Sequence, residues 1–169
     1  MINLRKTLEL AKTLLTKSQI DFALIGGFAL GAHGLHRATK DIDLLVDGAH
    51  RDTVKRLFTE SGFIVNFNST EVLQMSGPGY LDIVFANRPL SLEMIQTAKS
   101  GIKLGGVPVI DRESLIGLKI QAYKNDPSRI LQDKADIQAI LRQGNLDKIK
   151  IKKFADLFDA WPEIEELEN

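Results

Sequence analysis

Apolar positions along this chain change their spacing several times, and each change marks an element. Leu4, Leu8, Ala11 and Leu15 recur at three- and four-residue intervals, which predicts an amphipathic helix ending near Ser18-Gln19. Phe22–Ile25 is a short unbroken apolar run, the pattern of a buried strand. Residues 27–34 predict a short, closely packed helix, because Ala29, Gly31 and Ala32 are small. A second apolar strand spans 41–46 and stops at Asp47-Gly48. Val54, Leu57 and Phe58 give Arg51–Glu60 an inward helical face, and Gly62 follows where a helix-ending glycine is expected. Strands are predicted at 63–67, 71–75 and 80–85, separated by Asn68-Ser69-Thr70 and by Ser76-Gly77-Pro78-Gly79.

After Pro89 the periodicity weakens, until 102–104 and 107–110 flank Gly105-Gly106 as a small hairpin. From Asp111 onward the pattern is helical. Leu115, Leu118, Ala122 and Tyr123 form one stripe, and Ile130, Ile137, Ile140 and Leu141 a second that Gly144 ends. Phe154, Leu157, Phe158 and Trp161 form a third, and the acidic run 163–168 reads as a solvated tail. The expected class is α+β: a mixed β-sheet with flanking helices, then a helical C-terminal third. The whole chain reads as one domain, with an α/β part over 1–110 and a helical segment over 111–169.

Composition narrows the chemistry. Lys plus Arg equals Asp plus Glu at 22 each, so no strong net field steers this chain toward nucleic acid or an anionic membrane. Cysteine is absent, which excludes thiolate zinc sites, cysteine nucleophiles and disulfides. Arg5, Lys6 and Glu9 interrupt the N-terminal apolar residues, so no secretory segment is expected there. No apolar run approaches the roughly 20 residues that span a bilayer. The expected location is cytoplasmic.

The chemistry-bearing residues cluster in 23–46 and around position 82. Asp41 and Asp43 open an otherwise apolar strand, and alternation puts them on one side of it. Two carboxylates side by side repel unless a cation or proton separates them, and a divalent metal with oxygen ligands fits. Asp82 is the single charge in another strand that otherwise reads as interior. With that strand beside 41–46, three carboxylates converge and can hold two magnesium ions of the kind that clamp a phosphoryl displacement. Magnesium is the expected ion, with manganese as a substitute. Gly26-Gly27 precedes a helix, where bare backbone N–H groups can meet phosphate oxygens. Other motifs fail. Leu45 and Val46 fall where a calcium-binding loop needs an oxygen ligand and a glycine, no Gly-Lys-Ser/Thr follows Gly26-Gly27, and no Gly-x-Ser-x-Gly is present. His33, His36 and His50 lack zinc-ligand spacing and read as solvent-facing or locally bonded.

Gly-Gly, then Asp-x-Asp opening a strand, then a later strand Asp resembles the nucleotidyltransferase superfamily with a palm like that of DNA polymerase beta. The string GGFALGAHGLHRATKDIDLLV is similar to its small bacterial branch, related to the abortive-infection nucleotidyltransferase toxins. Arg37-Ala38-Thr39 matches the Arg-x-Thr that precedes the Asp-x-Asp there, and LIGLKIQAYKNDPSRILQDKADIQAIL matches a later helical segment. The resemblance spans about residues 20–145. It implies transfer of a nucleoside monophosphate from a triphosphate to an acceptor hydroxyl, with release of pyrophosphate. Asp41, Asp43 and Asp82 would be catalytic and metal-binding. Gly26, Gly27, Arg37, Thr39 and Lys119 would bind the nucleotide. Arg129, Asp133 and Asp136 read as a salt-bridged helix face or a brace between helices. The acceptor classes are a tRNA, a protein hydroxyl or a small molecule, and a neutralising antitoxin is the implied protein partner. The alternative is a non-catalytic nucleotide-binding or protein-interaction module with the same fold.

Overall fold

A computed structural model describes residues 2–168. The chain falls into two compact units, Met1–Ile110 and Asp111–Asn169. In the first, α1 (Leu4–Lys17) leads into β1 (Phe22–Ile25), α2 (Gly26–Ala32), β2 (Asp41–Asp47) and α3 (Arg51–Glu60). Then come β3 (Ile64–Asn68), β4 (Val72–Ser76), β5 (Tyr80–Ala86), α4 (Pro89–Lys99) and the hairpin β6 (Lys103–Leu104) and β7 (Val107–Pro108). The five longer strands form one sheet in the order β1-β2-β5-β4-β3. β2 and β5 run parallel and the other neighbours antiparallel, so the sheet is mixed as expected.

Alternation explains the burial. Leu73, Met75, Leu81, Ile83 and Phe85 point to one side of the sheet and are buried, against which α1 and α4 pack. Val72, Gln74, Ser76, Asp82 and Val84 point to the other side and are only half-buried. An antiparallel region with one covered face shows this pattern.

Helix α4 lies where the sequence pattern weakens. Pro89 stands at its first turn, the Ser91 hydroxyl accepts from the Arg88 N–H at 3.3 Å, and Met94, Ile95 and Ala98 are buried. Three apolar anchors on one short helix give too faint a period to stand out.

The second unit contains α5 (Arg112–Asn125), α6 (Ile130–Arg142), α7 (Lys148–Asp156) and α8 (Trp161–Glu168). Asp111 caps α5 by accepting from the Ser114 N–H at 2.8 Å. The buried side of α5 is Leu115, Ile116, Lys119, Ile120 and Tyr123, whereas Leu118 and Ala122 are half-buried. The third apolar stripe is divided: α7 stops at Asp156, Leu157 is exposed, and Asp159 turns with φ +51°. The acidic run is not a solvated tail. It forms α8, with Ile164 fully buried and Glu163 bonded to Tyr123, Lys124 and Lys134.

Candidate active site

The parallel pairing of β2 with β5 places Asp43 directly beside Asp82. Asp41 lies two residues earlier on β2, on the same side. Ligand oxygens of the three carboxylates lie within 4.8 Å of one another, and all three residues are half-buried. Hydrogen bonds fix two of the acids. Thr39 Oγ1 donates to Asp41 Oδ1 at 2.8 Å, and Gln74 Nε2, from β4, donates to Asp82 Oδ2 at 3.0 Å.

The glycines abut this cluster. Gly26 has φ +66°, in the left-handed region that L side chains resist, and a Cβ there would overlap the Asp43 carboxylate. A Cβ on Gly27 would sit 2.8 Å from Thr39 Cβ. The dipeptide therefore lets the start of α2 approach both Asp43 and the residue that holds Asp41. Ile25, at the helix N-cap, supplies no side-chain hydrogen bond to the first N–H groups of α2.

Of the residues singled out in the sequence, Asp41, Asp43, Asp82, Gly26, Gly27 and Thr39 come together. Arg37 is exposed on the segment leading into β2, where its guanidinium donates to the Ala38 carbonyl at 3.2 Å. His33, expected to be solvent-facing or locally bonded, is half-buried and lies 2.7 Å through Nε2 from the carbonyl of Ile110, far along the chain. Lys119 is in the second unit. It is 5% exposed, with its ammonium 2.5 Å from Asp136 Oδ2 and 3.2 Å from Asp133 Oδ1. Arg129 Nε donates to Asp133 Oδ2 at 3.0 Å and Gln132 Nε2 to Asp136 Oδ1 at 3.1 Å, so this group ties α5 to α6. Gln74 was not singled out, because a polar residue on a half-exposed strand is ordinarily solvated. Its one signal is its place at an outward position of 71–75.

The donor set suits a hard divalent cation. All three side chains offer carboxylate oxygen, they converge, and each remains partly accessible. Magnesium or manganese fits such ligands; a soft metal would seek sulfur or imidazole.

A mixed sheet carrying an Asp-x-Asp on one strand, and a third Asp beside it on a parallel neighbour, defines a nucleotidyltransferase fold. Solved structures share it. ANT(2")-Ia in complex with adenylyl-2"-tobramycin has a TM-score of 0.56 at 16% identity, over 96% of this chain and 93% of that one. The lincosamide antibiotic adenylyltransferase LnuA has 0.54 at 17%, over 68% and 84%. TM1012 of Thermotoga maritima, a protein assigned to the nucleotidyltransferases, has 0.54 at 18%, over 78% and 93%. At such identities the likeness is one of fold. Among curated proteins, none matches the chain. Residues 13–164 match the family described as nucleotidyl transferase AbiEii toxin of a type IV TA system, and the chain belongs to that family. It is an enzyme of the nucleotidyltransferase class. No helix among the described residues is long and apolar enough to cross a membrane.

Proposed function

We propose that the protein transfers a nucleoside monophosphate from a nucleoside triphosphate to an acceptor hydroxyl. The observation that carries this reading is the convergence of Asp41, Asp43 and Asp82 within 4.8 Å beside Gly26. In the reaction, the acceptor oxygen forms a bond to the α-phosphorus. The bond from that phosphorus to the bridging oxygen breaks, and pyrophosphate leaves with the electron pair. The hydroxyl proton passes to Asp82, whose other oxygen is held by Gln74. Asp41 and Asp43 are assigned, with Asp82, to holding two magnesium ions. Bound there, such ions supply charge neutralisation to the attacking and leaving oxygens. Thr39 fixes Asp41 in its orientation. The uncapped N–H groups at Gly26 and Gly27 are assigned to phosphate oxygens, and Arg37 to the triphosphate charge. Lys119, already matched by Asp133 and Asp136 in its own unit, is assigned to the brace between α5 and α6.

The acceptor is a macromolecular or small-molecule hydroxyl, and an antitoxin protein is the proposed partner, in keeping with the family's toxin description. The test is incubation with each α-labelled triphosphate and magnesium in cell extract. The wild-type protein is expected to label one fraction, and Asp82→Ala to lower that labelling by several orders of magnitude. Binding of triphosphate with no labelled product in any fraction would support the non-catalytic module instead.

A further inference from the structure

Two rows of side chains cross the sheet on the side that carries the acids. One row runs Asp43, Asp82, Gln74, Phe67 from β2 through β5 and β4 to β3. The other runs Asp41, Tyr80, Ser76, Ile64. A β-bulge in β3 makes the first row. Val65 stands opposite Met75 and Phe67 opposite Gln74, so Asn66 is the extra residue. Strict alternation would send Phe67 to the buried side with Val65 and Met75; the bulge turns it to the side of Gln74 and Asp82. Asn66 is held on that side too, accepting from Ser76 Oγ at 3.3 Å. The outcome is costly for a small core. Ile64 is 68% exposed, Phe67 52% and Tyr80 43%. These apolar side chains flank a floor of Ser76, Asn66 and Gln74, and the floor continues to Asp82.

We propose that this shelf seats the acceptor, and that the acceptor carries its hydroxyl on or beside a flat unsaturated ring that stacks on Phe67. The inference rests on the transferase reading. Its position favours the acceptor over the donor nucleotide. The glycines assigned to the triphosphate open α2 directly after β1, on the β1–β2 side of the acids, whereas the shelf lies beyond Asp82, the acid assigned to the hydroxyl proton. Strands are about 4.8 Å apart, so Phe67 on β3 stands about 10 Å from Asp82 on β5. A ring seated over that span reaches the acid through a short substituent. Aromatic side chains offer such a ring an offset or edge-on contact, and the amides of Asn66 and Gln74 offer hydrogen bonds to its polar edge.

The test compares Phe67→Ala, Phe67→Leu and Phe67→Tyr with wild type in the extract-labelling reaction, alongside equilibrium binding of a non-hydrolysable triphosphate with magnesium. Phe67 is half-exposed, so the variants are expected to fold, and thermal unfolding checks that. Labelling is expected to fall roughly five- to hundredfold in Phe67→Ala and Phe67→Leu, the range for ring stacking on an aromatic side chain, and to survive in Phe67→Tyr. Triphosphate binding is expected to stay unchanged in all three. Undiminished labelling by Phe67→Ala overturns the shelf alone. Retention by Phe67→Leu overturns the ring, and weakened triphosphate binding reassigns the shelf to the donor base and overturns the acceptor role. No labelled product from the wild-type protein overturns the transferase reading and this inference with it.

Discussion

Gly26 and Asp43 are packed so closely that the glycine's missing side chain is part of the acid's surroundings. Gly26 holds φ +66°, and the space its Cβ would take is filled by the Asp43 carboxylate. The glycine thus has a structural duty whether or not its N–H meets a phosphate. One change tests both.

Gly26→Ala must adopt a disfavoured φ and displace a carboxylate. The backbone conformation alone costs about 1–2 kcal/mol, and the overlap adds to it. Urea unfolding is expected to show a loss of at least that size, together with a collapse of transfer activity. A variant as stable and active as wild type would mean that the turn and Asp43 separate freely.

Asp43→Asn relieves repulsion within the triad. In chelator its melting temperature is expected to equal or exceed that of wild type. Magnesium binding only the native state stabilises wild type by about 2.7 kcal/mol at a hundredfold excess over Kd, and this rise is expected to vanish in the variant. Thermal unfolding with and without magnesium reads both effects, and a full magnesium response in Asp43→Asn would place the ion elsewhere.

The acids were legible in the sequence because a charge inside an apolar strand stands out. Asp41, Asp43 and Asp82 each break a hydrophobic run, and their convergence follows once the two strands are neighbours. That neighbourhood depends on a parallel pairing between strands nearly 40 positions apart, which no local pattern encodes. Gln74 was illegible for the opposite reason: a polar residue at an outward strand position has an ordinary reading as solvated. The bulge at Asn66 was hidden too, since nothing in the run Phe63-Ile64-Val65-Asn66-Phe67 marks one residue as extra, and only the pairing with β4 shows it. Helix α8 was misread because a run of glutamates suggests solvent. Its one fully buried apolar residue, Ile164, and partners some 30 to 40 residues away make it a packed helix.

Lys119 sits 5% exposed between Asp133 and Asp136, so Lys119→Met leaves two buried carboxylates facing each other. Breaking a buried pair in this way costs about 3–5 kcal/mol. The sole tryptophan, Trp161, lies in the same unit and reports its unfolding by fluorescence. Replacing Lys119, Asp133 and Asp136 together by apolar residues is expected to recover much of the loss. A variant Lys119→Met that keeps its stability but loses triphosphate binding would return Lys119 to the nucleotide site.

Glu163 gives the second unit an acid-sensitive contact. Burial pushes its carboxyl up, but hydrogen bonds from Lys124, Lys134 and Tyr123 outweigh that and hold it at about 2, against an ordinary value of 4.5. Those partners lie on α5 and α6, so the carboxylate fastens α8 to both helices. A carboxyl depressed in the folded state contributes stability that is fully present above its unfolded value. That contribution fades as pH falls from about 4.5 toward 2 and is gone below it. Glu163→Gln removes the charge at every pH. Its unfolding free energy is expected to lie below that of wild type at pH 6, and the gap is expected to close through this window. Asp21 and Asp111, also depressed, titrate equally in both proteins and cancel in the difference. Urea unfolding at pH 6, 4 and 3 measures the gap. A gap that stayed constant down to pH 3 would show that Glu163 supports α8 through packing, with no contribution from its charge.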